Sequence, residues 1–374
     1  MKTISIALTL ATILAAHQTA AAQKPGRQVS QPQTIQPPKP EPPKVLNSGG
    51  PGWYLLSNTY IYKWNESGNF TPTKLPKAAL ITDIYVGDAD LYASGYVYGE
   101  HSTNAAYWKN GELNILEPTV VTRATAIYVS DGNVYVAGLY GGGKQERPVL
   151  WTNGERQDLD KPGRTRALIP KGIWAKGEDV IVVGQESGDG DTPTHTFFVW
   201  KNGEMTDPLP NRSTDDYRLD IKVIDGDIYI GGSKEVHVDG YYNLVAWKNG
   251  KPVKLPTTKF FSFRPPIVPF FVSDGDLYFY RSIRRKMEDT YPDIIVTKNE
   301  AVLEHDYETD TNPYTLEKIP IRIDWVFAKG DDIYAIGESD YENGSKRKLT
   351  VWKNGKRISQ TQNKAPGGRL VVKE

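Results

Sequence analysis

Apolar and polar residues alternate in short runs along most of this chain, and the runs end at turns rich in glycine, asparagine and aspartate. Ile84-Tyr85-Val86, Ile127-Tyr128-Val129 and Ile221-Lys222-Val223 each precede such a turn, and another short run follows it. A period of two residues is typical of strands with one buried face. Because no stretch beyond the N-terminal segment keeps a helical period, the pattern predicts an all-β protein.

A Trp-Lys-Asn-Gly motif divides these strands into repeats. Full copies begin at Trp108, Trp200, Trp247 and Trp352, and the related copies are Trp151-Thr152-Asn153-Gly154, Thr297-Lys298-Asn299-Glu300 and a looser one at Trp64. Successive copies are 43 to 55 residues apart. Asn-Gly favours the type I′ turn of a two-residue hairpin. Each copy therefore predicts a turn between two antiparallel strands.

A second tight turn precedes six of these motifs. Its copies are Asp131-Gly132-Asn133, Asp225-Gly226-Asp227 and Asp274-Gly275-Asp276, with the variants Asp88-Ala89-Asp90, Gly177-Glu178-Asp179 and Gly330-Asp331-Asp332. Tyrosine follows in five copies and Ile181 in the other, and glycine comes three residues later except at Arg281. Each repeat thus predicts four antiparallel strands. Units of this length at a steady spacing favour the blades of a β-propeller over a sandwich.

The two ends of the chain set the number of blades. Six repeats carry both turns, whereas the copy at Trp64 has only three predicted strands and no upstream partner turn. One further strand, Arg369-Leu370-Val371-Val372, follows the last motif. Because one strand and three strands complete a blade, we predict a seven-bladed propeller closed by pairing the N- and C-terminal strands. Six blades with an additional hairpin is the alternative.

Three segments differ in composition. Residues 1–22 combine Lys2, an apolar run and a small-residue site before Gln23, which predicts a signal peptide. Residues 23–47 are rich in proline and predict an extended linker, and residues 48–374 contain the propeller. The apolar run is too short to span a membrane. We therefore expect a secreted or periplasmic protein that has no membrane span and, lacking cysteine, no disulfide bond.

The overall charge argues against two classes of partner. Lys and Arg number 45, as do Asp and Glu, so neither nucleic acid nor an anionic membrane is favoured. No Ser-His-Asp, Walker or dinucleotide-binding motif is present. We expect a monomer that binds a protein or glycan ligand.

Basic residues precede or begin the predicted innermost strands. They are Lys77, Arg123, Arg166, Arg218, Arg264, Arg322 and Arg369, one in each blade, and the loop of blade five adds Arg284 and Arg285. Such a ring at the mouth of the channel would suit an anionic ligand such as a uronic-acid glycan. Their offsets from the apolar positions vary, and acidic residues lie nearby, so salt bridges between blades are the alternative.

Histidine offers a second candidate site. His101, His195 and His237 fall in predicted loops at one end of the propeller, as does His305. We expect no cofactor, although three histidines are enough to hold a divalent metal ion. They occupy different offsets in different blades, so the alternative is that they are separate solvent-exposed loop residues.

The repeat as a whole resembles a known group. Ile-Tyr-Val-x-Asp-Gly-Asp-x-Tyr-x-x-Gly followed by Ala-x-x-Trp-Lys-Asn-Gly is similar to repeats of uncharacterised secreted bacterial β-propeller proteins, over residues 50–374. The resemblance implies the architecture and supplies no active-site residues.

Two functional hypotheses follow. The first is a non-catalytic scaffold that binds a protein or glycan through its variable loops. The second is a metal-dependent, polysaccharide lyase-like enzyme that processes an acidic polysaccharide.

Overall fold

A computed structural model describes most of the predicted propeller. The described residues are 52–64, 70–100, 102–143, 146–159, 168–186, 196–208, 217–236, 241–257, 260–261, 268–283, 293–303, 307, 321–339, 348–360 and 369–373. All of them belong to a compact unit spanning residues 43–374. The predicted signal peptide and the predicted linker lie outside the described residues.

The described residues form strands and contain no α-helix. The first strands are β1 (Gly52–Ser57), β2 (Tyr60–Trp64), β3 (Phe70–Lys74), β4 (Ala78–Val86), β5 (Leu91–Tyr98), β6 (Thr103–Lys109), β7 (Glu112–Ile115), β8 (Thr122–Ser130), β9 (Asn133–Tyr140), β10 (Arg147–Thr152), β11 (Glu155–Asp158), β12 (Leu168–Lys176), β13 (Asp179–Glu186), β14 (Phe197–Lys201) and β15 (Glu204–Thr206). The remaining strands are β16 (Tyr217–Ile224), β17 (Asp227–Glu235), β18 (Tyr241–Lys248), β19 (Lys251–Pro252), β20 (Phe260–Phe261), β21 (Phe270–Ser273), β22 (Asp276–Ile283), β23 (Asp293–Lys298), β24 (Ala301–Leu303), β25 (Ile321–Lys329), β26 (Asp332–Ser339), β27 (Lys348–Lys353), β28 (Lys356–Gln360) and β29 (Arg369–Lys373).

These strands make seven antiparallel sheets, so the predicted seven-bladed propeller is confirmed. Blades one to six are β4–β7, β8–β11, β12–β15, β16–β19, β21–β24 and β25–β28, and β20 adds a fifth strand to blade four. Blade seven has the order β29-β1-β2-β3. Gly52 pairs with Lys373 and Leu55 with Leu370, so the two ends of the propeller share one sheet as predicted. The six-bladed alternative is wrong.

The first strand of each blade lies at the centre. β4 contacts β8, β8 contacts β12, and β12 contacts β16, while β21, β25, β29 and β4 contact one another in turn. Lys222 Nζ on β16 donates to Phe270 O on β21, which completes the ring. Buried apolar side chains fill the space between blades. One cluster joins Tyr92 and Ala105 of blade one with Ile127 of blade two.

Both predicted turns have the backbone that their sequences require. Asn110 and Gly111 have φ values of 50° and 86°, and Asp131 and Gly132 have φ values of 51° and 78°. Positive φ at both central residues defines a type I′ turn. Gly177, with φ 60°, takes the first turn position in blade three, where Glu178 follows without positive φ.

A hydrogen-bonded clamp joins the two tight turns of blade four. Asn249 Nδ2 donates to Asp227 Oδ1 at 2.8 Å, and Ile228 N donates to Asn249 Oδ1 at 2.8 Å. Lys248 Nζ lies 2.7 Å from the other carboxylate oxygen of Asp227 and 5.2 Å from the centre of the Tyr229 ring. This turn clamp therefore ties the first hairpin of the blade to the second.

The turn clamp recurs around the propeller, with one uncharged copy. Blades one, five and six repeat it with Asp90, Lys109 and Asn110, with Asp276, Lys298 and Asn299, and with Asp332, Lys353 and Asn354. In blade three the Lys201–Asp179 distance lengthens to 3.6 Å. Blade two has Asn133 and Thr152 in place of the charged pair, and Asn153 Nδ2 donates to Asn133 Oδ1 at 2.8 Å.

Glycine recurs in the second strand because the backbone of the first strand lies against it. A Cβ at Gly138 would lie 2.2 Å from Arg123 O, and a Cβ at Gly232 would lie 2.0 Å from Arg218 O. The same approach occurs at Gly95. Such distances are far below van der Waals contact, so any side chain would push the two strands apart.

Blade five has threonine in place of the recurrent tryptophan and packs this position differently. Thr297 is fully buried at this position, and its neighbour on the second strand is Phe279. Blade two has Val136 beside Trp151 at the corresponding positions. The Phe279 ring lies 5.7 Å from the ring of Phe270 on the first strand. The larger neighbours offset the volume lost at Thr297, so packing explains this departure from the repeat.

Substitution of Gly138 by alanine should destabilise the propeller, because the new Cβ must displace the Arg123 carbonyl. We expect a loss of about 2 kcal/mol in the free energy of unfolding, measured by urea denaturation. Gly142→Ala is the control, since its Cβ would only touch Val121 at 3.6 Å. Equal effects of the two substitutions would contradict this account of the glycine.

Acidification should weaken the turn clamps. Hydrogen bonds from Lys248 and then Asn249 lower the pKa of Asp227. A carboxyl group with a depressed folded-state pKa stabilises the fold above its unfolded pKa, and this contribution is lost as the pH falls through the folded-state pKa. We therefore expect stability to decline below a pH of about 4.

Asp227→Asn isolates one clamp in urea denaturation curves measured across this pH range. It should cost about 0.5 kcal/mol at neutral pH, since the ion pair is solvent-exposed, and should make stability less sensitive to acid. Glu155→Gln, in the turn of the uncharged clamp, is the control. If both variants keep the acid sensitivity of the unchanged protein, the clamp does not cause it.

Candidate functional site

The two ends of the propeller are built differently. Both tight turns of blades one to six lie at one end, and the opposite end carries the connections from second to third strands and from one blade to the next. We call this opposite end the loop face. Because binding residues concentrate in loops held by a rigid scaffold, it is the candidate functional surface. In blade seven the corresponding connection is short, with Asn58 and Thr59 between β1 and β2.

Four of the predicted arginines lie at the loop-face ends of innermost strands. Arg123, Arg218, Arg322 and Arg369 are in the first or second position of β8, β16, β25 and β29. The side chains of Arg322 and Arg369 are outside the described residues, as are Arg166, Arg264, Arg284 and Arg285 altogether. The described backbone therefore places these four arginines at the predicted end of the channel.

Three of these arginines also share one register position. Arg123 pairs with Leu139, Arg218 with Ser233 and Arg322 with Glu338, and each partner follows the recurrent glycine of the second strand. Their sequence offsets differ because β8 and β25 contain bulges, whereas β16 does not. The three arginines therefore occupy equivalent positions in their blades, although their offsets along the sequence differ.

The described arginine side chains already have partners. Arg123 Nη2 forms a salt bridge with Glu146 Oε1, just before β10 of the same blade. Arg218 Nη1 donates to Tyr217 O at 2.8 Å. For Arg123 this favours the salt-bridge alternative, although the bridge lies within blade two rather than between blades.

The predicted histidine site lies outside the described residues. His101, His195, His237 and His305 all belong to this undescribed part of the chain. Among the residues that the structure does describe, no three His, Cys, Asp or Glu side chains are grouped to hold a metal ion. Within the same described part, no helix is long and apolar enough to cross a membrane.

Exposed apolar side chains mark three successive blades at the loop face. Tyr60 of blade seven is 37% exposed, Tyr98 of blade one is 75% exposed, and Val121 leading into blade two is 36% exposed. Tyr60 begins β2 and Tyr98 ends β5, so both lie beside the connections of the loop face. We call Tyr60, Tyr98 and Val121 the tyrosine surface.

Each exposed tyrosine has a second tyrosine two residues away on its strand. The Tyr60 and Tyr62 ring centres are 6.0 Å apart, and those of Tyr96 and Tyr98 are 6.3 Å apart in an edge-to-face arrangement. Partial burial, and then the proximity of Tyr60, raises the pKa of Tyr62. The inner tyrosine of each pair therefore packs beside the outer ring, and the outer tyrosine remains exposed.

Asn104 fixes the backbone beside the tyrosine surface. Its buried side-chain nitrogen donates to Glu117 O at 2.9 Å and to Val120 O at 3.1 Å. Thr122 Oγ1 accepts from Ala105 N at 2.8 Å. These bonds satisfy the carbonyls of the connection between blades one and two and hold it in place, since buried polar groups need partners.

An arginine ties the outer edge of blade two to the same connection. Arg156 lies 3.9 Å from the centre of the Tyr140 ring and 3.2 Å from both Glu117 Oε1 and Asp158 Oδ1. Burial alone would lower the pKa of Arg156, but these contacts outweigh it and raise the pKa. Asn104 of blade one and Arg156 of blade two thus both hold the connection between these blades at the loop face.

The sequence did not single out the tyrosine surface. The sequence predicts a variable loop from Tyr98 to Asn104, yet tyrosine also occurs at the structural position after five of the six acidic turns. Exposure separates the two classes, because Tyr92 and Tyr229 are buried whereas Tyr98 is not. A Tyr-x-Tyr pair at the end of a predicted strand, as at Tyr60 and Tyr96, is the signal that could have found it.

Comparison with known proteins finds distant structural likenesses. No family model and no curated protein matches this chain. Similar solved structures include the polysaccharide lyase Uly1, with 11% identity over 82% of this chain and 89% of the lyase and a TM-score of 0.44. An acylaminoacyl peptidase from Pyrococcus horikoshii has 15% identity over 84% of this chain and a TM-score of 0.48, and the chain spans 50% of its length. A Trypanosoma rangeli sialidase has 12% identity over 82% of this chain and 59% of the sialidase, with a TM-score of 0.36. At these values the likenesses give no information on function.

Removing the Asn104 amide should loosen the connection between blades one and two. Asn104→Ala leaves two carbonyls without their donor, so we expect a loss of about 2 kcal/mol in the free energy of unfolding. Limited proteolysis should also cut the segment after Ile115 faster. Asn114→Ala is the matched control, since its amide makes one exposed 3.3 Å bond to Glu112 O. Equal cleavage and equal stability in the two variants would contradict the anchoring role.

Proposed function

We propose that this protein is a secreted or periplasmic scaffold that binds a protein or glycan ligand through the loop face of its propeller. The proposal assigns it no catalytic step. The single observation that carries it is the placement of Tyr60, Tyr98 and Val121, exposed on three successive blades at one end of the molecule.

The tyrosine surface has the chemistry of a binding site. Tyrosine offers a large amphipathic contact area and loses only two side-chain torsions on binding, which is why it is frequent in binding loops and energetic hot spots. Asn104 and Arg156 hold the neighbouring connection rigid, so little backbone ordering would oppose association. A ligand that covers the Tyr98 ring would therefore gain most of the contact energy.

Charge contributes less at this location than the sequence suggested. An anionic ligand at Arg123 would have to displace Glu146, and a bound carboxylate would also lie near that acidic group. We therefore assign the contact at blades seven, one and two to Tyr60, Tyr98 and Val121. The remaining arginines of the predicted ring stay candidates for an anionic part of the ligand.

A paired substitution tests the proposal. Tyr60→Ser combined with Tyr98→Ser should weaken ligand binding about thirtyfold, as expected when hot-spot residues are removed. Val302→Ser combined with Ile358→Ser is the control, because these exposed residues lie on outermost strands of blades five and six. The probes are oligosaccharides of hyaluronan and of cellulose, measured by calorimetry.

A protein ligand is tested by crosslinking in cells. A photoreactive amino acid at position 98 should capture a discrete partner that the same amino acid at position 358 does not capture. The scaffold proposal would be contradicted if the protein bound no oligosaccharide and also gave no position-specific crosslink. Equal loss of binding in both paired variants would contradict it as well.

Metal analysis separates this proposal from a metal-dependent, glycan-processing enzyme. The scaffold predicts purified protein without stoichiometric divalent metal. Bound metal that is lost in His195→Ala or His237→Ala would overturn the scaffold in favour of the enzyme. Lys77→Asn is a surface control, because Lys77 is exposed at the loop face and asparagine tolerates its positive φ of 55°.

A further inference from the structure

Five Asn-Gly turns of the propeller share one backbone conformation. The asparagines have φ values of 49° to 51° and the glycines 76° to 94°, at Asn110-Gly111, Asn153-Gly154, Asn202-Gly203, Asn249-Gly250 and Asn354-Gly355. In each turn the side-chain oxygen accepts a backbone N–H of the second strand at 2.8 to 2.9 Å. What distinguishes these turns from one another is therefore the group that accepts the hydrogen bond of the asparagine Nδ2.

Asparagine followed by glycine is chemically labile, because glycine places no side chain in the way of ring closure. The backbone nitrogen of the glycine attacks the asparagine Cγ, a C–N bond forms, and the Cγ–Nδ2 bond breaks. The proton of the glycine N–H leaves with the nitrogen as ammonia. Water then opens the succinimide at either carbonyl and gives aspartate or isoaspartate.

The asparagine side chain must leave its clamp before this attack. In four turns Nδ2 donates to a carboxylate, as in the Asn202–Asp179 and Asn249–Asp227 bonds of 2.8 Å. In blade two, Asn153 donates to the neutral amide oxygen of Asn133. A hydrogen bond to a charged acceptor is roughly twice as strong as a neutral one. Asn153 is therefore released most readily.

Solvent access does not reverse this order. Asn153, Asn202 and Asn249 are all exposed, so water reaches each of them. Blade two also has Thr152 where Lys201 and Lys248 occupy the other turns. The absence of both charges from one clamp is thus the feature that separates Asn153 from its counterparts.

We propose that Asn153 is the site at which the blade turns of this propeller deamidate. Conversion to isoaspartate adds a methylene to the backbone between β10 and β11 and removes the Nδ2 donor. The type I′ geometry of the turn is then lost. Since β11 carries Arg156, the contacts of Arg156 with Tyr140 and Glu117 loosen next.

Peptide mapping of the aged protein tests the proposal. The full chain is held in mildly alkaline buffer, digested, and the conversion of each Asn-Gly peptide is followed by mass spectrometry. Asn153 should convert about fivefold faster than Asn202, which reflects the stronger bond to a carboxylate. Asn299, followed by Glu300, is the internal control and should convert most slowly of the clamp asparagines. The Asn343-Gly344 peptide, outside the described residues, is followed separately.

A reciprocal exchange of the clamps identifies the cause. Asn133→Asp with Thr152→Lys should slow Asn153 to the rate of Asn249, whereas Asp227→Asn with Lys248→Thr should speed Asn249 to the original rate of Asn153. Circular dichroism confirms that each variant is folded before ageing. Equal rates at Asn153 and Asn202 in the unchanged protein would overturn the proposal, as would an unchanged order in folded exchange variants. If an exchange variant does not fold, the ranking in the unchanged protein decides alone.

Discussion

In five blades, a hydrogen bond from the asparagine of one tight turn to the aspartate after the other turn sets the geometry of the blade. Asn249 joins Asp227 and the Ile228 N–H, so a side chain continues the backbone ladder across three strands. Lys248 completes the clamp by pairing with the same carboxylate. Once both hairpins are fixed in register, their apolar residues face neighbouring blades, and the buried interblade clusters follow. The loop face is free to vary because the opposite end is held.

Much of this fold could be predicted because its signals are local. Asn110-Gly111 and Asp131-Gly132 specify their turns through the conformations that these residues permit, and the Trp-Lys-Asn-Gly spacing reports the blade. The alignment of the arginines could not be predicted, because bulges in β8 and β25 shift the sequence offset without shifting the register. The compensation of Thr297 by Phe279 was hidden for a similar reason, since those residues are neighbours only across paired strands.

The candidate site was less accessible to sequence reasoning than the fold. The positions of the basic residues suggested a ring of cations. The partner of Arg123 is Glu146, which lies in a loop before the third strand of the same blade, and the spacing of residues in the sequence does not predict such a pair. Tyr98 was predicted to lie in a variable loop, but its sequence context did not distinguish it as a binding residue. Its proposed role depends on its exposure, which arises from where β5 ends and from the connection that Asn104 holds beside it. Binding surfaces on repeat proteins are therefore found among residues that the repeat does not require.

The shared blade also has a consequence for how the molecule is made. Leu55 pairs with Leu370, so the innermost strand of blade seven comes from the far end of the propeller sequence. Until that strand has emerged from the ribosome, β1 presents an unpaired inner edge and blades six and one have no common neighbour. Contacts of such long sequence separation form slowly, because loop-closure entropy opposes them. The propeller therefore closes only after β29 has been synthesised. Until then the nascent chain is an open, incomplete propeller that is prone to aggregation.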